Sequence, residues 1–191
     1  RPSAVRPHDE FIMYLGTGFP HKNLRRLVEA FEILKERHPK LKLVLVGKKE
    51  VNYKELEDFI RTRPYADDVL VTGFLPDEEA KWLYEHTRAY VFPSLSEGFG
   101  LPALEAMGYG APVVSSNATC LPELYEDAAH YFNPKNVKDI AQKVEQVLID
   151  KKLRDRLVKN GARQIKKYSW HTMAEETLVV YKEILDETVP A

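Results

Sequence analysis

Two carboxylates flank a glycine-bearing turn in Pro93-Ser-Leu-Ser-Glu-Gly-Phe-Gly-Leu-Pro-Ala-Leu-Glu-Ala-Met-Gly108, one at Glu97 and the other at Glu105. The apolar stretch Ala89–Phe92 leads through Ser94 into this turn, and Pro102 sits where proline opens a helix, at its first position. The amides near Gly100, Leu101, Ala103 and Leu104 then have no partner within the helix. Together with the positive end of the helix dipole they suit an anion. Gly98 and Gly100 allow backbone to approach a ligand closely. Acids near a helix N-terminus also simply favour its dipole, which accounts for Glu105. It does not account for Glu97. Both carboxylates are better explained as acceptors for hydroxyls on a phosphate-bearing ligand, such as a nucleotide sugar, and both are then expected to face one cleft.

A second segment, Gly16-Thr-Gly-Phe-Pro-His-Lys-Asn23, follows an apolar run and offers Lys22 at the mouth of a helix. As a dinucleotide fingerprint it is broken, because His21 stands at the third glycine position. As a phosphate loop it also fails, since no glycine precedes Lys22. A plain strand-to-helix turn with a solvated lysine is the other reading of these residues.

The elements that must position these side chains alternate in type. Phe11–Leu15, Leu41–Val46, Val69–Val71, Ala89–Phe92 and Pro112–Val114 read as strands. Between the first two, Leu24, Leu27, Val28, Phe31 and Leu34 recur on one helical face that ends near Pro39. Asn52 with Glu55 resembles a capping pair for a helix to about Arg61. Pro76-Asp77 opens another that carries Leu83 and Tyr84, and a further helix starts near Leu101. Strands separated by helices require crossovers, hence a parallel sheet covered on both faces, and continuous apolar strands agree. The expected fold class is α/β, a Rossmann-like doubly wound parallel sheet with extra C-terminal helices. After Tyr131-Phe132 the pattern is wholly helical: a stripe from Val137 to Leu148, a helix over about Lys152–Lys166, and one from Ser169 carrying Met173, Leu178, Tyr181 and Leu185.

Lys plus Arg number 28 against 29 Asp plus Glu. That balance argues against bulk electrostatic binding of nucleic acid. One cysteine, Cys120, excludes an intrachain disulfide and a multi-cysteine metal site, and it fits a reducing, cytoplasmic setting. No apolar run approaches the roughly 20 residues of a membrane span. Residues 1–10 lack a signal peptide's apolar centre and read as a linker from an upstream segment. The six histidines are too scattered for a cluster and read as surface or capping residues. Trp82 and Trp170 read as packing. Lys151, Lys152, Arg154 and Arg156 read as a solvated helix face, with peripheral membrane contact left open.

Glu97-Gly-Phe-Gly-Leu-Pro-Ala-Leu-Glu105 resembles the E-x7-E motif of retaining glycosyltransferases with the GT-B fold, family 4. The similarity extends to Tyr14-Leu-Gly16 with Lys22-Asn-Leu24, Val44-Leu-Val-Gly47, Val71-Thr-Gly-Phe-Leu75, and Pro112-Val-Val-Ser-Ser-Asn117 leading to Leu121-Pro-Glu123. The resemblance implies the C-terminal, donor-binding domain of a two-domain enzyme. Residues 11–168 form that domain, and 169–191 form a helix crossing back to an N-terminal acceptor domain. By position, Lys22 neutralises the diphosphate, Glu97 binds the transferred sugar, and Gly98, Phe99 and Gly100 offer amides to sugar and phosphate. Glu105 holds the ribose, while Gly73, Phe74 and Leu75 meet the base with Lys48 nearby. Gly16, Thr17, Ser94 and Leu101 complete the donor site. The reaction implied retains anomeric configuration by attack on the face that the diphosphate leaves. It makes electrostatic stabilisation of the diphosphate more important than a protein base.

The expected donor is a UDP- or GDP-linked hexose, mannose being favoured, and the acceptor is a glycan or lipid-linked glycan of a surface polysaccharide. No Asp-x-Asp occurs, in keeping with a metal-independent enzyme that needs no cofactor. Two departures stand out: Thr17 replaces a common arginine, and Asn117-Ala-Thr-Cys-Leu121 replaces a common glycine pair. Other readings remain at this point. A nicotinamide-dependent dehydrogenase explains the sheet but not Glu97 and Glu105. A sugar-phosphate phosphorylase lacks its cofactor lysine motif here. A non-catalytic nucleotide-binding or assembly module also fits, and this chain alone is expected to bind nucleotide weakly and to transfer little sugar.

Overall fold

A computed structural model describes residues 2, 3, 5, 8–48 and 50–188 of the chain, with side chains through 185. Six parallel strands form one sheet: β1 (Phe11–Leu15), β2 (Lys42–Val46), β3 (Val69–Gly73), β4 (Ala89–Phe92), β5 (Val113–Ser116) and β6 (Ala129–Phe132). Their spatial order is β3-β2-β1-β4-β5-β6, the doubly wound arrangement expected from the alternating pattern. The chain builds outward from β1 in one direction, then returns to build from β4 in the other. The crevice between the ends of β1 and β4 is therefore the topological switch point.

Covered on both faces, the central strands carry apolar side chains without alternation. Phe11, Ile12, Met13, Tyr14, Leu43, Val44 and Leu45 are all at most 1% exposed. Burial of each aliphatic or aromatic side chain stabilises the fold by roughly 1.5–3 kcal/mol. Over one face, α1 (Leu24–Lys35) packs on α2 (Val51–Arg61) and α6 (Val137–Ile149). On the other, α4 (Leu101–Gly108) packs on α7 (Lys151–Gln164). There α3 (Asp77–His86) is joined to α4's end by the stacked rings of Tyr84 and Tyr109. A short α5 (Leu121–Tyr125) precedes β6, and α8 (Trp170–Thr188) closes the chain.

Several local expectations are corrected. The sixth strand went unread because Ala129-His-Tyr-Phe132 is an edge strand with half-exposed His130 and Tyr131, so no continuous apolar run marks it. Helix α5 is too short for a periodic signal. Asn52 and Glu55 are not a capping pair: α2 begins at Val51, and Glu50 is its cap residue. Trp82 packs on Phe11 as expected, but Trp170 is 70% exposed. On α7, Lys151 pairs with Asp155 at 2.6 Å, while Arg154 donates to the carbonyls of Val147 and Leu148 at 2.6 and 2.7 Å. Arg154 thus closes the end of α6, as a cation at a helix C-terminus should.

The expected linker is anchored where it is described, with Val5 1% exposed and Asp9 paired to Lys42 at 2.9 Å; residues 1, 4, 6 and 7 of it lie outside the described residues. The expected crossing helix is continuous to Thr188, and 189–191 likewise lie outside. Leu178 and Tyr181 on it are 51% and 60% exposed. No described helix is long and apolar enough to cross a membrane.

Candidate donor site at the switch point

Lys22 and Glu97 leave neighbouring strands and meet across the crevice. Lys22 ends a single 3-10 turn after β1, and Glu97 lies in the loop after β4. Lys22 Nζ stands 2.6 Å from Glu97 Oε1 and 5.8 Å above the Phe92 ring, with both side chains largely shielded. Chain separation of 75 residues gives no hint of this pair.

Asn23, which the sequence reading passed over as a candidate, explains how the two loops are joined. Its backbone is left-handed at φ 62°, a conformation Asn tolerates better than most residues. The buried Nδ2 donates to the carbonyls of Pro93 and Pro134 at 3.0 and 2.8 Å. Beside it, the Leu95 amide donates to the His21 carbonyl at 2.7 Å. Asn23→Ala strands both proline carbonyls and keeps the strained φ. A loss of roughly 2–3 kcal/mol of unfolding free energy is expected by denaturant titration. A change below about 0.5 kcal/mol would show that the loops are held elsewhere.

Buried tyrosines hold the remaining backbone. Tyr14 donates to the Thr17 carbonyl at 2.9 Å, Tyr90 to the Leu15 carbonyl at 3.1 Å, and Tyr53 lies within bonding distance of the Gly16 and Val46 carbonyls. Burial raises all three phenols, so they remain neutral donors. Satisfying these carbonyls orients the loop after β1. A Cβ on Gly47 would collide with the Gly16 carbonyl and the Tyr53 ring, which explains a glycine there.

The helix after Glu97 begins at Leu101, as expected, so Pro102 is its second residue rather than its first. Gly100 precedes it at φ 101°, and a Cβ there would strike the Tyr125 hydroxyl, which donates to the Gly100 carbonyl at 2.7 Å. One amide is withdrawn from the anticipated anion site: Ala103 N donates to the Gly100 carbonyl. The amides of Gly98, Phe99 and Leu101 have no acceptor among the described residues. Nothing approaches within 4 Å of the place a Gly98 Cβ would occupy. Protein packing therefore does not demand that glycine, whereas a ligand lying over the backbone would.

Glu105 is four residues into α4 from Leu101, and Tyr84 donates to its Oε2 at 3.3 Å. Desolvation raises its pKa from the carboxylate value, the Tyr84 hydrogen bond lowers it in part, and Asp77 adds to the rise. Glu105 lines a cavity of 620 Å³ with Phe99, Leu101 and the first turns of α8. Neither Lys22 nor Glu97 lines that cavity, so the two acids do not share it as anticipated. Lys22 and Glu97 instead engage each other at 2.6 Å.

The other anticipated residues divide into three groups. Phe74, 76% exposed after β3, and Lys48, whose side chain is 77% exposed beside Glu50, form an open corner suited to a base. Leu75 is half-buried there, and Gly73 turns the chain at φ 78° with its carbonyl bonded to the Gly47 amide. Gly16 and Thr17 line the opposite loop, Thr17 exposed. Ser94 differs: it is wholly buried, and its hydroxyl has no partner among the described residues. It offers nothing to a ligand at the surface. Among the described residues no three His, Cys, Asp or Glu groups gather closely enough to hold a metal.

The sheet and its flanking helices define one Rossmann-like half of a GT-B architecture. Residues 1–164 match the family Glycosyl transferases group 1, and the chain belongs to that family. O-antigen chain mannosyltransferase B of Escherichia coli is 36% identical over 173 residues, 90% of this chain and 45% of that protein. The MMP alpha-(1->4)-mannosyltransferase of Mycolicibacterium hassiacum is 32% identical, covering 97% and 46%. The chain thus spans less than half of these relatives. Among solved structures, sucrose-phosphate synthase from Thermosynechococcus elongatus superposes with a TM-score of 0.85 at 23% identity, over 96% of this chain and 47% of that one. The C-terminal domain of a group 1 family protein, LpcC from Francisella tularensis, superposes at 0.71 with 27% identity, over 83% and 85%. Family membership sets aside the dehydrogenase reading.

Proposed function

We propose that this chain is the donor-binding half of a retaining hexosyltransferase. It takes a UDP- or GDP-linked hexose, with mannose favoured, and the hexose passes to a glycan or lipid-linked acceptor held by an N-terminal partner domain. The Lys22–Glu97 pair at the switch point, beside free amides at the head of α4, carries this reading. Similarity to mannosyltransferases supports the choice of sugar.

In this reading the diphosphate takes Lys22 and the amides of Gly98 to Leu101. Glu97, released from Lys22, accepts from the sugar hydroxyls. Glu105 accepts from the ribose, and Phe74 offers a face to the base. As the bond between the anomeric carbon and phosphate oxygen breaks, negative charge grows on the diphosphate. The fixed ammonium and helix dipole stabilise that charge as it develops. Charge neutralisation by these groups is the basis for proposing a metal-independent reaction. A cytoplasmic setting, with peripheral contact at the inner face of the membrane, belongs to the same proposal.

Calorimetric titration of UDP, GDP, ADP and NAD tests the reading. Binding of UDP or GDP is expected, weakened about tenfold to a hundredfold in Glu105→Ala through loss of hydrogen bonds to a charged acceptor. A preference for NAD would overturn it.

A further inference from the structure

The segment where this chain departs from the common glycine pair reaches across to grip the Glu97 loop. Thr119 Oγ1 accepts from the Glu97 amide at 3.2 Å and donates to the Glu97 carbonyl at 3.3 Å. Cys120 Sγ donates to the same carbonyl at 3.3 Å and lies 3.7 Å from that of Phe99. One residue that bonds both backbone groups of another fixes its rotation as well as its position. We propose that Thr119 and Cys120 are positioning residues that latch the Glu97 loop and set where its carboxylate meets the transferred hexose.

Two further observations point the same way. Thr119 has φ 51°, which is unfavourable for a β-branched side chain. Glycine or asparagine would relieve that strain but would not supply the same hydroxyl, so the strain is coupled to the grip. Tyr125 and Tyr168 hold the far end of this loop, at Gly100 and Phe99, and leave the Glu97 end to other contacts. Gly98 is exposed with open space about it, and no regular structure spans Glu97–Gly100. With the site empty, Lys22 holds the Glu97 carboxylate from the opposite side. Once a diphosphate occupies Lys22, that restraint is gone, and Thr119 and Cys120 are what still grip the Glu97 backbone itself. Its contribution should therefore appear with the sugar-bearing ligand rather than with the bare diphosphate.

The inference rests on the donor-site reading above, and its test separates the two. Wild type, Thr119→Ala, Thr119→Gly, Thr119→Ser and Cys120→Ala are titrated with GDP, GDP-mannose, UDP and UDP-glucose. Amide hydrogen exchange is followed at Glu97–Gly100 in the same proteins. Thr119→Ala and Thr119→Gly are expected to lose about fivefold of the affinity gained from the hexose, with the bare diphosphate nearly unchanged. Exchange in the loop should quicken in both. Thr119→Gly relieves the strained φ and so protects the fold, while Thr119→Ser should restore the gain. Cys120→Ala is expected to give a smaller loss, since sulfur is a weak donor. An unchanged hexose gain with unchanged loop exchange in Thr119→Gly would sink the latch alone. A wild type that gains nothing from either hexose would sink the donor reading and the latch's role with it.

Discussion

Lys22→Ala is expected to weaken GDP or UDP binding to this chain by about tenfold to a hundredfold. A hydrogen bond to an ionised group contributes roughly 1.5–3 kcal/mol. Lys22 is also well prepared to make one. The carbonyls behind it are held by Tyr14, Tyr53 and Tyr90, and Asn23 fastens the turn that carries it. Little conformational freedom remains to be lost on binding. The variant leaves Glu97 shielded and without its cation, so unfolding should be measured beside binding. Lys22→Arg keeps the charge but replaces a compact ammonium with a planar fork, and only partial recovery is expected. Affinity in Lys22→Ala within twofold of wild type would remove the diphosphate from this crevice.

Glu97→Gln is expected to move two ligands in opposite directions. The amide matches the carboxylate in size, so the fold should tolerate it, but the ion pair disappears. A partly shielded pair of this kind contributes on the order of 1 kcal/mol. A bare nucleoside diphosphate should then bind about fivefold more tightly, because Lys22 is no longer engaged. The hexose conjugate should lose its gain, since a neutral amide is a weaker acceptor for sugar hydroxyls than a carboxylate. Together these shifts amount to about 3 kcal/mol, roughly a hundredfold change in preference between the two ligands. In the proposed two-domain enzyme the same change should largely abolish transfer. Tighter binding of both ligands would place the hexose away from Glu97, and weaker binding of both would indicate a damaged loop.

Much of the fold was legible because its signals are local. Continuous apolar runs marked β1 and β4 with their observed bounds, and the stripe Leu24, Leu27, Val28, Phe31 and Leu34 marked the buried face of α1. What escaped lacked such a signal. Strand β6 is short, lies at the sheet edge and carries a half-exposed histidine, while α5 spans barely more than one turn. Trp170 looked like core because its helix is amphipathic, yet amphipathic periodicity predicts only that a face seeks a partner. Here that face is exposed.

The site shows the same division. Residue types and spacing nominated Glu97 and Glu105, because acids around a glycine-bearing helix start have few uses in combination, while Lys22 read equally well as a solvated turn lysine until the family resemblance gave it a role. Parallel strands followed from the crossovers, whereas the strand order that makes the ends of β1 and β4 the switch point came only with the tertiary structure. Neither the Lys22–Glu97 contact nor the grip of Thr119 and Cys120 on the loop was legible. They join residues 75 and 22 to 23 positions apart in the chain. Nor was the role of Asn23 visible, since its two acceptors are carbonyls of unremarkable prolines distant in sequence. Periodicity and composition report what each segment buries, through forces that act over a few residues. Which side chains then meet across loops depends on distances of a few tenths of an ångström, and folding of the whole sheet sets those distances.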